Sequence, residues 1–186
     1  NKDLLKADVV VISDSPMFDR DVPSICYGLR GLAYFQIDVR GTKSDLHSGS
    51  FGGAVVNPAM ALAQTIAQMK DKSGRIKIPG FYDDVVALRE EERAEFAKLP
   101  FNEKRYRIDL GAPKLFGEAG YTTLERVWAR PTFEVNGLLS GFTGDGAKTV
   151  LPAIAMAKVS MRLVPNQDPK KIGDLFEDYL KKVMSK

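Results

Sequence analysis

The sequence predicts an α+β fold, a ferredoxin-like two-layer sandwich in which an antiparallel sheet carries two helices on one face. Three observations predict it. Residues 32–40 and 158–164 alternate apolar and polar side chains with period two, the pattern of strands buried on one face only. Residues 58–71 and the segment from 169 onward place apolar side chains at helical spacing, each behind a capping residue. The order strand, helix, insertion, strand, strand, helix is a βαββα run, one strand short of the split βαβ arrangement.

Residues 8–13, DVVVIS, open the chain's regular structure as a short β-branched run. Such a run reads as a strand buried on both faces in a parallel sheet, yet no other segment is a partner for it, so it reads as an orphan from a neighbouring domain. In the next strand Ala33, Phe35, Ile37 and Val39 share one face, with Tyr34, Gln36, Asp38 and Arg40 on the other. A loop of small and polar residues, SDLHSGSFGG, follows and contains the only histidine, His47. Asn57 and Pro58 then supply an N-cap and a first-turn proline for a helix with Leu62, Ile66 and Met69 on one side, ending in lysines before Gly74.

Residues 74–130 read as an insertion. DDVVALREEERAEFAKLP is expected to be helical up to Pro100, and the remainder is rich in turns. Residues 132–139 and 158–164 are two further strands; in the second, Val159, Met161 and Leu163 oppose Lys158, Ser160 and Arg162. Asp168-Pro169 opens a final helix whose stripe is Ile172, Leu175, Phe176, Tyr179, Leu180 and Val183. The chain stops where a fourth sheet strand is expected.

Composition narrows the function. Of 186 residues, 44% are hydrophobic and 27% charged, with a net charge of +3. This is ordinary for a globular domain, and too weak and evenly spread a charge to indicate nucleic acid. No stretch approaches the ~20 apolar residues of a membrane span. Cys26, the one cysteine, excludes an intrachain disulfide framework and reads as a small hydrophobe in a strand. The expected setting is a reducing, cytoplasmic one.

Motifs in isolation carry little chemistry. In GFTGDGAKT, Gly141 and Gly146 have phosphate-loop spacing, but Ala147 separates the second glycine from Lys148, and flanking strands leave no helix N-terminus to hold phosphate. The segment reads as a glycine-rich link between two strands. His47 is insufficient by itself for a catalytic zinc, which takes about three converging protein ligands, or for a nucleophilic triad. From spacing alone, Asp14 is a turn-capping carboxylate before Pro16, and Arg162 is a solvated arginine on the polar face of a sheet.

The motifs taken together are more specific. VISDS, YGLRG, DLHSGSFGG, NP, GAKTVLP and MRLVPNQDP occur in the order and approximate spacing of the M20 metallopeptidases, and the sequence most resembles their carnosinase or cytosolic dipeptidase-like branch. The resemblance runs from about residue 8 to 182 and is weakest across 83–130. It implies that residues 1–24 are the end of a catalytic-domain strand with its linker, and residues 25–186 the inserted lid and dimerisation domain. By the same resemblance, Asp14 corresponds to a zinc ligand of a two-zinc centre. His47 corresponds to the histidine that crosses the dimer to stabilise an oxyanion, and Thr149 and Arg162 to contacts with the substrate's terminal carboxylate. Gly49, Gly52 and Gly53 are expected to let the histidine loop bend through positive φ.

The remaining zinc ligands and a catalytic base are absent, so the chain alone is expected to be inactive and to hold no zinc. Its implied partners are a second copy of itself and a small peptide, with no nucleic acid or membrane. The rival reading is a non-catalytic ferredoxin-like interaction module that only dimerises. An RNA-binding sheet is a third, without the paired aromatics or basic surface it needs.

Overall fold

Alternation in the sequence becomes a three-stranded antiparallel sheet in the computed structural model, which describes residues 1–12 and 14–184. In chain order the strands are β1 (Gly31–Arg40), β2 (Leu46–His47), β3 (Thr132–Ser140), β4 (Val150–Leu151) and β5 (Ile154–Leu163). The helices are α1 (Ser48–Phe51), α2 (Pro58–Ala67), α3 (Glu90–Ala97), α4 (Glu103–Asp109), α5 (Thr123–Trp128) and α6 (Pro169–Met184). The long strands lie in the order β1-β5-β3, and β2 and β4 pair separately as a two-stranded ladder.

Ala33, Ile37 and Val39 of β1 and Val159, Met161 and Leu163 of β5 are buried on one face, with Phe35 packed against them. Both expected face assignments therefore hold. The partners are in register, Phe35 opposite Val159 and Ala33 opposite Met161. Helices α2 and α6 cover this face, α2 through Leu62 and the following Met69, α6 through Ile172 and Phe176. Phe176 packs its ring against Phe35 and Phe133, with centroids 5.0 and 6.1 Å apart. Each such side chain, fully buried, contributes about 1.5–3 kcal/mol.

Local chemistry sets the helix starts. Asn57 Oδ1 accepts from the Ala59 amide at 2.9 Å, with Pro58 in the first turn. Asp168 Oδ1 accepts from the amides of Lys170 and Lys171 at 2.7 and 3.2 Å. Asn166, at φ 72°, turns the chain between β5 and α6, a conformation that asparagine tolerates better than most residues. Beside it, the buried Gln167 donates from Nε2 to the Phe81 carbonyl at 2.8 Å, tying this turn to the insertion.

Several expectations need correction. Residues 8–12 form no strand: Val9, Val10, Val11 and Ile12 are exposed, and no described segment pairs with them. Ser13, the last residue of that expected strand, lies outside the described residues. Cys26 is exposed rather than packed in a strand, and its Sγ donates to the Gly28 carbonyl at 3.1 Å. Strand β5 begins at Ile154, four residues before the expected 158, and α2 ends at Ala67, before the lysines.

Only 90–97 of the long expected helix in the insertion is helical; residues ahead of it are held instead by Asp84, which pairs with Lys171 of α6 at 2.6 Å. Two short helices, α4 and α5, were not anticipated in the turn-rich remainder. Their signals were present as an Asn102 cap and a Thr122/Glu125 capping box. No fourth sheet strand exists among the described residues, so the outer edge of β1 is unpaired, as is that of β3.

The insertion is fastened by buried ions. Arg130 grips Glu118 through two parallel hydrogen bonds of 2.7 and 2.8 Å, both side chains more than 90% buried. Arg75 adds a third bond to Glu118 at 3.1 Å. The Arg130 guanidinium lies 4.3 Å from the Tyr121 ring centroid and 5.3 Å from that of Tyr82. Burial opposes the Arg130 charge, but Glu118 outweighs it and the guanidinium pKa rises.

Candidate functional site

The histidine loop is laid down by its neighbours rather than by its own glycines. Leu46 and His47 pair with Leu151 and Val150. The Ser48 amide donates to the Thr149 carbonyl at 3.1 Å, and Asp45 Oδ1 accepts from the Ala153 amide at 2.8 Å. Asp45 went unremarked in the sequence, although its place two residues before His47 in SDLH was the available signal. The loop is thus sewn to the 149–153 segment that leads into β5.

Of the three glycines expected at positive φ, only Gly53 has it, at 83°. Gly49 and Gly52 are needed for close approach. A Cβ on Gly49 would sit 2.8 Å from His47 Cε1, and one on Gly52 would collide with the Ser48 carbonyl oxygen.

These constraints orient the His47 imidazole. The Gly49 amide lies 3.0 Å from Nδ1. An amide can only donate, so Nδ1 accepts and the neutral ring carries its proton on Nε2. Nε2 lies 3.1 Å from Thr149 Oγ1, to which it donates. The ring is exposed and both of its nitrogens are engaged, so the imidazole sits at the surface on a fixed base. Two sequence-predicted residues, His47 and Thr149, are therefore brought together.

Arg162 is not brought to them. It lies on the polar face of β5, opposite Leu32 and Thr132, and eight residues of strand, a rise of about 27 Å, separate it from the start of β5. Its surroundings are a groove of about 610 Å³ between the sheet and the insertion, which Arg30, Ser160 and Asn136 also line. Burial, and next the Arg162 charge, push the Arg30 guanidinium pKa down. Arg30, in the YGLRG motif, was not singled out as a site residue in the sequence.

Asp14 is exposed, and no group of three or more histidine, cysteine, aspartate or glutamate residues suited to a metal ion exists among the described residues. The residues present do not make a metal centre. No described helix is long and apolar enough to cross a membrane.

The profile of the M20 peptidase dimerisation domain matches residues 27–186. The chain is 36% identical over 170 residues to a Cys-Gly metallodipeptidase of Candida albicans, covering 91% of this chain and 35% of that protein. It is 34% identical over 179 residues to the human Beta-Ala-His dipeptidase, covering 96% and 35%. Among solved structures, an M20 family metallo-carboxypeptidase from Sulfolobus solfataricus superposes with a TM-score of 0.83 at 37% identity, covering 98% of this chain and 48% of that one. Human carnosine dipeptidase 1 gives 0.77 at 32% identity, covering 84% and 33%. The chain spans about a third of the length of the curated relatives it matches.

Proposed function

Because the chain belongs to the M20 peptidase dimerisation family, we propose that it is the lid and dimerisation domain of a longer metallopeptidase that hydrolyses dipeptides or small peptides. The observation that carries this reading is the oriented imidazole of His47, held by Gly49 and Thr149 in an exposed loop, with no cluster of metal-ligating residues among the described residues. An exposed imidazole on a fixed base suits an active site completed by another body, where its Nε2–H leaves Thr149 Oγ1 for an incoming acceptor. There it donates to the oxygen of the scissile carbonyl as negative charge develops on it. Such a preorganised donor is worth about 10²–10³ in kcat.

The separation of Arg162 from His47 and Thr149 supports a division of labour. Thr149 travels with His47, so whichever active site receives one receives the other. Arg162, at the far end of β5, serves a different site, that of its own protomer, where its planar fork pairs with a substrate carboxylate. This arrangement requires a homodimer. Its interface is the outer half of β3, where Leu138 lies opposite Ala157 on the helix-bearing face yet is 58% exposed, beyond the reach of α2 and α6.

Residues 1–24 belong with the catalytic body, which covers the apolar side chains at 9–12. Asp14 joins metal ligands supplied there, zinc being the expected ion. This chain alone holds no such centre and is inactive.

The test is His47→Ala in the intact parent enzyme. Turnover of a dipeptide falls about 10²–10³-fold with metal content and dimer unchanged, and near wild-type kcat would sink the assignment. A non-catalytic dimerisation module is the second reading, favoured by the uncovered face of β3. It requires the intact parent to cleave no dipeptide.

A further inference from the structure

The groove beside the sheet holds an imbalance of charge that the rest of the fold does not resolve. Five cationic side chains line it against two carboxylates. Three cations are accounted for: Arg130 is clamped on Glu118, Lys70 pairs with Glu134 at 3.1 Å, and Arg126 Nε donates to the Glu118 carbonyl at 2.8 Å. Both carboxylates are thereby spent. The side chains of Arg30 and Arg162 make no hydrogen bond or ion pair among the described residues.

Their placement is not accidental to the sheet. Leu32 lies opposite Arg162, and Arg30 precedes Leu32 by two residues, so an extended chain puts Arg30 on the same polar face as a diagonal neighbour of Arg162. Arg30 is half-buried in the groove wall. Two unneutralised guanidiniums held side by side, one of them partly desolvated, repel each other. An anion lying between them relieves that repulsion and forms charge-assisted hydrogen bonds with both.

We propose that Arg30 is a second substrate-binding residue, which with Arg162 makes a two-guanidinium anchor for the terminal carboxylate of a peptide lying in the groove. The proposal rests on the peptidase reading above. Ser160, next along the polar face of β5, and Asn136, in the bulge of β3, line the same groove and supply neutral donors for the rest of the peptide. The insertion, whose role the sequence left open, forms the opposite wall through Phe116 and Gly117.

The experiment uses the intact dimeric enzyme with Arg30→Gln and Arg30→Lys, assayed on a free-acid dipeptide and on the same dipeptide as its C-terminal amide. Arg30→Gln is expected to raise KM for the free acid about 10- to 100-fold with little change in kcat, and to leave the amide unaffected. Arg30→Lys restores part of the loss, because it returns charge without the planar fork. Calorimetric binding of the corresponding N-acetyl amino acid and its amide, to wild type and variants, repeats the comparison without turnover. An equal loss on acid and amide, or no loss on either, overturns the role of Arg30. Absence of dipeptide cleavage by the wild-type enzyme overturns the peptidase reading instead, and acid-selective binding lost in Arg30→Gln would still uphold the anion anchor.

Discussion

His47 Nε2 lies 3.1 Å from Thr149 Oγ1, across 102 residues of sequence. The Gly49 amide at Nδ1 sets the tautomer, and the contact with Thr149 adds a second anchor that fixes the plane of the ring. Thr149→Val removes the hydroxyl while keeping the side-chain shape. In the intact enzyme it is expected to lower kcat about 10-fold, the scale of one hydrogen bond. In a His47→Ala background the same change lowers kcat little further, since the ring it orients has gone. Additive losses in that double variant, measured by steady-state kinetics, would show that Thr149 acts independently of His47.

Glu118 is the keystone of the insertion, bonded to Arg130, Arg75 and, through its carbonyl, Arg126. Glu118→Gln strands the buried Arg130 charge. Breaking a buried pair from one side costs about 3–5 kcal/mol. Urea unfolding checks this, and replacing Arg130 by Met together with Glu118→Leu is expected to cost less than Glu118→Gln alone.

Leu138 is exposed on the helix-bearing face of β3, at the end that neither helix reaches. Leu138→Asp places a charge in the proposed interface and is expected to convert dimer to monomer in sedimentation velocity, with the far-ultraviolet spectrum unchanged. A persisting dimer places the interface elsewhere.

Asp71 closes the turn after α2, its Oδ1 accepting from Ser73 Oγ, the Ser73 amide and the Arg75 amide at 2.6, 2.8 and 3.0 Å. The Ser73 hydroxyl first, then the Arg75 amide, hold its pKa below the usual carboxylate value. A depressed carboxylate pKa stabilises the fold above the unfolded-state value of about 3.9, and the contribution is lost as pH falls through the lower folded value. Asp71→Asn is therefore expected to flatten the acid limb of the stability curve in that window and to leave its slope above pH 6 unchanged.

The legible parts of this protein were those governed by near neighbours in sequence. Period-two alternation placed Val159, Met161 and Leu163 in the core and Arg162 on the opposite face, because successive strand side chains must point to opposite sides. Asn57 and Asp168 announced their helices, because a cap acts within three residues. Motif order brought His47, Thr149 and Arg162 into consideration and pointed to the family, but said nothing of which of them meet.

The tertiary structure decided what depends on distant partners. Residues 8–12 have every local property of a strand and form none, since a strand needs a partner and no described segment pairs with them. Asp84 leaves the expected helix to pair with Lys171, a contact between segments 87 residues apart. Arg30 was not singled out within YGLRG, and it is the sheet register that sets it beside Arg162. The sequence determined which faces are apolar and where α2 and α6 begin; chain closure, which brings distant charges and hydrogen-bonding groups together, decided that His47 meets Thr149 while Arg162 stands apart with Arg30.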